Sequence, residues 1–252
     1  MEIRHAVHPE QVELFDTTEL REHFLVQNLF VPGALKLVYS HYDRLIVGGA
    51  CPVEALTLDA DPGVIGADYL LERRELGVIN IGPPGVVTVD GARYALGLKD
   101  GLYVGRGSRR VSLESADPHQ PARFYLNSAP AHASHPTQAV TPAGTAAVQL
   151  GSAEKCNRRT IRKYIHPDGA RSCQLVMGMT TLEPGSVWNT MPTHTHPRRI
   201  EAYLYFELPP DDLVMHFMGE PRQTRHLVVR DGEAVLSPSW SIHSGVGTCA
   251  YT

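Results

Sequence analysis

Between Ala55 and Val111 the hydrophobic residues fall in short runs broken by Gly, Asp and Pro: LTLD at 56–59, LGVINIG at 76–82, VVTVDG at 86–91, RYALGL at 93–98 and GLYVGRG at 101–107. Runs this short, with β-branched and aromatic residues and turn formers between them, predict strands rather than helices. Asp90-Gly91 between two such runs predicts a tight hairpin. ARFYLNSAPAH at 122–132 adds another strand. The second half repeats the pattern in RRTIRKYI (158–165), CQLVMGMTTL (173–182), VWNTM (187–191), IEAYLYFEL (200–208), VMHFMG (214–219), RHLVV (225–229) and AVLSPSWSI (234–242). A single short helix is expected, in TTELREHFLVQNLF, where Leu20, Phe24, Leu25 and Leu29 recur at near-helical spacing and Thr17 or Thr18 is available as N-cap. Residues 1–30 otherwise read as an extension outside the core.

The expected fold class is therefore all-β, in two β-barrels: residues 1–150 and residues 151–252. The Ala-, Thr-, Pro- and Gly-rich stretch from Ala131 to Lys155 reads as their connection. An internal echo links the halves. Glu75 begins ELGVINI as Glu201 begins EAYLYFE, and Asp90-Gly91 precedes Leu102 by the interval that separates Asp231-Gly232 from His243. At the offsets of His194 and His196 the first half has Asp68 and Leu70, so only the second barrel is expected to carry a metal.

Composition narrows the classes. The chain has 252 residues, enough for two small domains, with 42% hydrophobic and 20% charged residues. A formal net charge of −4 gives no general attraction to nucleic acid or an anionic membrane. Cys51, Cys156, Cys173 and Cys249 form no CxxC pair and read as free thiols. The opening residues lack the apolar segment of a secretory signal, and no run is long enough to cross a bilayer, which makes the cytoplasm the expected location. GxGxxG, GxxxxGK[ST] and GxSxG motifs are absent.

The candidate chemistry lies in MPTHTHPRRIEAYLYFEL and SPSWSIHSG. If His194 and His196 occupy an extended segment, both imidazoles point to one side. With Glu201 and His243 they make a donor set suited to a borderline divalent cation such as zinc, with manganese or iron as rivals. Strand parity puts Glu201, Tyr203 and Tyr205 on one face and the apolar Ala202, Leu204 and Phe206 on the other. Candidates to relay a proton are Tyr203, Glu183, His216 and His226; parity favours a core role for His216. Arg198, Arg199, Arg158 and Arg159 are candidates for binding a substrate carboxylate through the planar guanidinium fork. His132 and His135 read as loop residues that could reach a pocket rim.

HTHPRRIEAYLYFEL and SPSWSIHSGVGTCAYT, together with EHFLVQNLFVPG (22–33), YSHYDRLIVGG (39–49), YLLERRELGVINIG (69–82), APAH (129–132), CNRRTIRKY (156–164) and WNTMPTHTH (188–196), resemble the 5-keto-4-deoxyuronate isomerase family of the cupin superfamily. The resemblance spans essentially the whole chain. It implies a bicupin, that is, tandem cupin-like (RmlC-like) jelly-roll barrels, with one Zn2+ per subunit held by His194, His196, Glu201 and His243. It also implies a homo-oligomer, typically a hexamer. The implied reaction is aldose–ketose isomerisation of 5-dehydro-4-deoxy-D-glucuronate to 3-deoxy-D-glycero-2,5-hexodiulosonate through an enediol, in pectin and uronate degradation. With Glu201 a ligand, a separate base is expected. Family members continue past AYT with another aromatic-rich strand, whereas this chain stops at Thr252; a shortened form, or a strand replaced from elsewhere, is the expectation. The same four ligands would also serve a cupin dioxygenase, and a non-catalytic sugar-acid sensor is the alternative outside enzymes.

Overall fold

The computed structural model describes all 252 residues. Strands dominate, and the α-helices are Pro9–Val12, Thr17–Phe24 and Pro62–Ile65. None is long and apolar enough to cross a membrane.

A seven-stranded sheet organises the first half. Its order is Glu2–Arg4, Leu35–Ser40, Ile46–Ala50, Phe124–Pro130, Arg74–Asn80, Gly101–Val104 and Gln138–Val140. Only the Glu2–Arg4 edge pairs in parallel. One face of this sheet packs on the four-stranded sheet Leu56–Thr57, Val111–Ser115, Gly85–Val89 and Ala92–Leu96. Leu76, Val78, Leu102, Val87, Leu113 and Phe124 fill the space between. The other face contributes Val38, Val47, Ile79, Tyr103 and Tyr125 to a cluster with Tyr164, Ile165, Met177 and Phe206 of the second half. Arg74–Asn80 is therefore buried at all seven positions. That is why ELGVINI reads as a near-continuous apolar run instead of an alternating one.

Two devices fix the second half against this sheet. Gly77 leaves room for close approach, since a Cβ there would overlap the Met177 sulfur and Ile165 Cδ1. Beside it, Glu75 is fully buried. Its carboxylate accepts hydrogen bonds from the backbone N–H groups of Cys173 (2.7 Å), Gln174 (2.6 Å) and Leu175 (2.6 Å) and from the Tyr103 hydroxyl (2.8 Å). A buried charge is tolerated when every lone pair has a donor, and Glu75 meets that condition without a cation.

The second half is built from three small sheets. Arg159–Ile165 pairs with Ala147–Leu150 and Met177–Leu182. Val214–Glu220 lies between Gln223–Val229 and Ser244–Gly247, with Trp188–Asn189 beyond the latter. Glu201–Tyr205 pairs with Glu233–Ser237, whose other neighbour is Leu25–Val26.

That last pairing corrects one expectation. Residues 1–30 are not an extension: Val12, Leu20, Phe24, Leu25, Val26 and Leu29 are buried. Phe24 and Leu25 pack with Tyr205, Val214, Val235 and Tyr251 of the second half. The helix N-cap is Asp16, not Thr17 or Thr18. Its carboxylate accepts the Glu19 N–H at 2.9 Å, and the Glu19 carboxylate accepts the Asp16 N–H at 2.8 Å, a reciprocal capping box. The Asp90-Gly91 hairpin forms as expected, with φ of 49° and 90° at its two turn residues and Val89 paired to Ala92. All four cysteines are free.

Glu75→Ala strands three buried backbone donors and is expected to lower the unfolding free energy by about 3–5 kcal/mol. Urea denaturation measures it; a loss below about 1 kcal/mol would mean that the carboxylate is not the clamp.

Candidate metal centre

His194 and His196 do not lie on a strand. Residues 190–200 form an irregular segment between Trp188–Asn189 and Glu201–Tyr205. The two imidazoles nevertheless meet, with Nε2 atoms 3.2 Å apart. Local contacts do what strand parity was expected to do. The His194 Nδ1 lies 3.1 Å from the Pro192 carbonyl oxygen, which only accepts, so Nδ1 is the donor of this contact and Nε2 is the atom turned toward the other histidines. At the end of the segment, the Ile200 N–H donates to Asp43 Oδ2 at 2.7 Å. Asp43 belongs to a first-half turn in which it and Arg44 both have positive φ. Nothing local in the sequence marks Asp43 as a support for the site beyond its place in YSHYDR.

His243 immediately precedes the strand Ser244–Gly247 and is buried. Its ring centroid lies 4.6 Å from that of His194 and 4.9 Å from that of His196. The side-chain ligand atoms of these three histidines all fall within 4.8 Å of one another. Glu201 opens its strand beside them, with Oε1 3.1 Å from His196 Nε2 and Oε2 3.4 Å from His243 Nε2. The Tyr203 hydroxyl, two residues along the same strand face, donates to Oε2. Ala202, Leu204 and Phe206 face the opposite way, into the core shared with the first half, as parity predicted.

Electrostatics keep these groups in the forms a cation needs. Burial pushes the His243 imidazole down to about 4, against the pull of Glu201. Burial likewise lowers His196, with Arg199 and His194 adding to it and Glu201 opposing. For Glu201, burial favours the neutral acid, but the Tyr203 hydroxyl and the Arg199 guanidinium outweigh it and hold the carboxyl below its usual range. Neutral imidazoles beside an ionised carboxylate are ligand-competent. Three of the separations, 3.1, 3.2 and 3.4 Å, match the roughly 3.3 Å that metal bonds of about 2.0–2.1 Å in tetrahedral array put between ligand atoms.

Other candidates separate clearly. Arg199 reaches the cluster, with Nη2 2.8 Å from Glu201 Oε1 and 3.1 Å from His196 Nε2. Arg198 is exposed and makes no hydrogen bond or ion pair. Glu183 pairs with Arg158 at 3.5 Å, and Arg159 donates to the Asn157 carbonyl; none of the three touches the histidines. His216 is fully buried, its Nδ1 2.7 Å from the Tyr205 hydroxyl, which matches the core role favoured for it. His226 is a correction. It is exposed and sits opposite Phe217, one residue out of phase with His216, so it faces away from the cluster. His132 lies 3.1 Å from the Cys173 sulfur and has no contact with the site.

The family model that matches, described as KduI/IolB family, covers residues 24–252. The chain belongs to the KduI/IolB family. Its curated relatives include 4-deoxy-L-threo-5-hexosulose-uronate ketol-isomerases of Caldicellulosiruptor bescii (56% identical), Shouchella clausii (57%) and Burkholderia cenocepacia (55%). Each alignment covers 100% of this chain and 91% of the relative. Among solved structures, an IolB-like protein from Salmonella typhimurium superposes with a TM-score of 0.60 at 13% identity, covering 82% of both chains. The oxalate decarboxylase of Lactobacillus farciminis reaches 0.57 at 11% identity, over 90% of this chain and 85% of that one. These last two likenesses establish a cupin-like β-rich fold and nothing about the reaction.

The depressed imidazoles give the metal-free protein a pH signature. In the unfolded chain a histidine titrates near about 6.5, whereas folded His243 stays neutral down to about 4 and His216 down to about 3. The unfolded state therefore binds more protons in this window, and stability rises from about pH 4 to about pH 6.5. Urea midpoints across this range should climb with pH, and His243→Gln should flatten part of the climb; an unchanged slope would count against a neutral buried His243.

Proposed function

We propose that this chain is a metal-dependent ketol-isomerase that converts 5-dehydro-4-deoxy-D-glucuronate to 3-deoxy-D-glycero-2,5-hexodiulosonate in pectin and uronate breakdown. Identity above 50% to ketol-isomerases across the whole chain carries this reading. The cofactor is Zn2+, one per subunit, with His194, His196, His243 and Glu201 as ligands; their convergence and protonation states support the assignment. The architecture is a bicupin with residues 1–150 and 151–252 as its barrels, the second holding the metal and taking Leu25–Val26 and Ala147–Leu150 from the first stretch into its sheets. A hexamer is the proposed assembly. The edge strand Ala147–Leu150, whose Val148 and Leu150 are exposed, is consistent with association.

The reaction moves a proton between adjacent carbons of a hydroxy-aldehyde, and negative charge develops on oxygen as the enediol forms. A bound divalent cation supplies polarisation of that oxygen. The chain's own residues prepare the ground for it. Tyr203, its proton held high by burial and by Glu201, stays a hydrogen-bond donor and orients the carboxylate. Glu201 remains ionised, and the His196 and His243 imidazoles stay neutral. A donor committed to Glu201 in this way is a poor general base, so Tyr203 is a positioning residue.

Elemental analysis and an assay of carbonyl migration on the deoxyuronate, with and without chelator, test the reading together. His196→Ala should lose bound zinc and at least about 10³-fold in turnover; full activity in a metal-free H196A protein would overturn the mechanism. Tyr203→Phe should weaken zinc binding by about 10–100-fold while leaving the fold intact. Chelator titration reads that change, and unaltered affinity would remove Tyr203 from the site's support.

A further inference from the structure

Arg199 stands in an unusual relation to the proposed ligands. Its Nε and Nη2 both donate to one carboxylate oxygen, Glu201 Oε1, at 3.1 and 2.8 Å. The same Nη2 lies 3.1 Å from His196 Nε2. A guanidinium cannot accept, so this contact uses the lone pair of that imidazole nitrogen. One cationic side chain thus takes up the electron pairs of two ligand atoms. It is not needed to aim the carboxylate, because the Tyr203 hydroxyl already holds Oε2. Nor is it packed in place: the Arg199 side chain is 43% exposed, and its only hydrogen bonds are to these two residues.

A divalent ion on the same two atoms would stand within a few ångströms of the guanidinium, where like charges repel strongly and the shared lone pairs cannot serve both. We propose that Arg199 is a displaceable internal cation: it holds Glu201 and His196 together until the site is loaded, then leaves them and turns its guanidinium to the carboxylate of the acidic sugar. This rests on the ligand set given under Proposed function. The exposed side chain has the freedom to swing, and the planar fork that now grips one carboxylate oxygen is suited to a second carboxylate. Metal and organic acid are then coupled, because an anion that engages Arg199 removes a competitor for Glu201. By linkage each tightens the other's binding by the same factor.

The test measures Zn2+ affinity by competition with a chromophoric chelator, without reference to turnover. In Arg199→Gln, which removes the competing positive charge, zinc should bind about tenfold more tightly than in the native protein. Arg199→Lys keeps the charge but loses the fork, and its affinity should fall between the two. Saturating D-glucuronate, used as the carboxylate probe, should tighten zinc binding several-fold in the native protein and have no effect in R199Q. Unchanged or weaker zinc binding in R199Q, or an equal glucuronate effect in both proteins, would overturn the proposal. H196A runs in parallel to separate the two levels of inference. If it loses zinc while R199Q behaves as native, the ligand set stands and only the role of Arg199 fails. If H196A binds zinc as the native protein does, the ligand set falls and the proposal with it.

Discussion

Burial of one sheet on both faces is the constraint from which the rest of the molecule follows. The strand Arg74–Asn80 has a core above it and a second core below, the lower one shared with Tyr164, Ile165, Met177 and Phe206. A sheet enclosed in this way must satisfy any polar side chain within itself or against what covers it. Glu75 does so by gathering three backbone N–H groups from residues 173–175, which ties the covering chain to the sheet. Gly77, two residues on, allows the close contact that this bond requires.

The histidine cluster inherits its position from that arrangement. Ala202, Leu204 and Phe206 anchor one face of the strand Glu201–Tyr205 in the shared core, so Glu201 and Tyr203 must face the other way. The irregular segment that carries His194 and His196 is held at its far end by Asp43, a first-half residue. Side chains from widely separated stretches are thereby brought to one point. Burial keeps the His196 and His243 imidazoles neutral, and hydrogen bonds keep the carboxylate charged.

Local rules made much of this legible. The Asp90-Gly91 turn, the short strands and the two faces of Glu201–Tyr205 all follow from patterns a few residues long. Expectations that needed distant partners fared differently. Residues 1–30 looked peripheral because Leu25 and Val26 gain their burial from Glu233–Ser237, far along the chain. His194 and His196 were expected on a strand because HxH spacing suits one, whereas their convergence comes from the Pro192 carbonyl and from Asp43. His226 stood among the proton-relay candidates until the register placed it opposite Phe217, on the outer face. Capping by Asp16 was open to view in D-x-x-E, and the threonines beside it drew the reading one residue too far.

Glu75 and Glu201 show how much a carboxylate's neighbours decide. Each lies at the start of a strand, Glu75 fully buried and Glu201 partly so, and each accepts a hydrogen bond from a tyrosine hydroxyl, Tyr103 in one case and Tyr203 in the other. They differ in what meets their remaining lone pairs. Around Glu75 these are fixed backbone donors, which saturate the charge and leave nothing exchangeable, so the group serves as a clamp. Around Glu201 they are two imidazole nitrogens and a half-exposed guanidinium, all of them side chains that no secondary structure depends on. The chemistry of the same side chain passes from structural to functional when its partners are side chains rather than backbone.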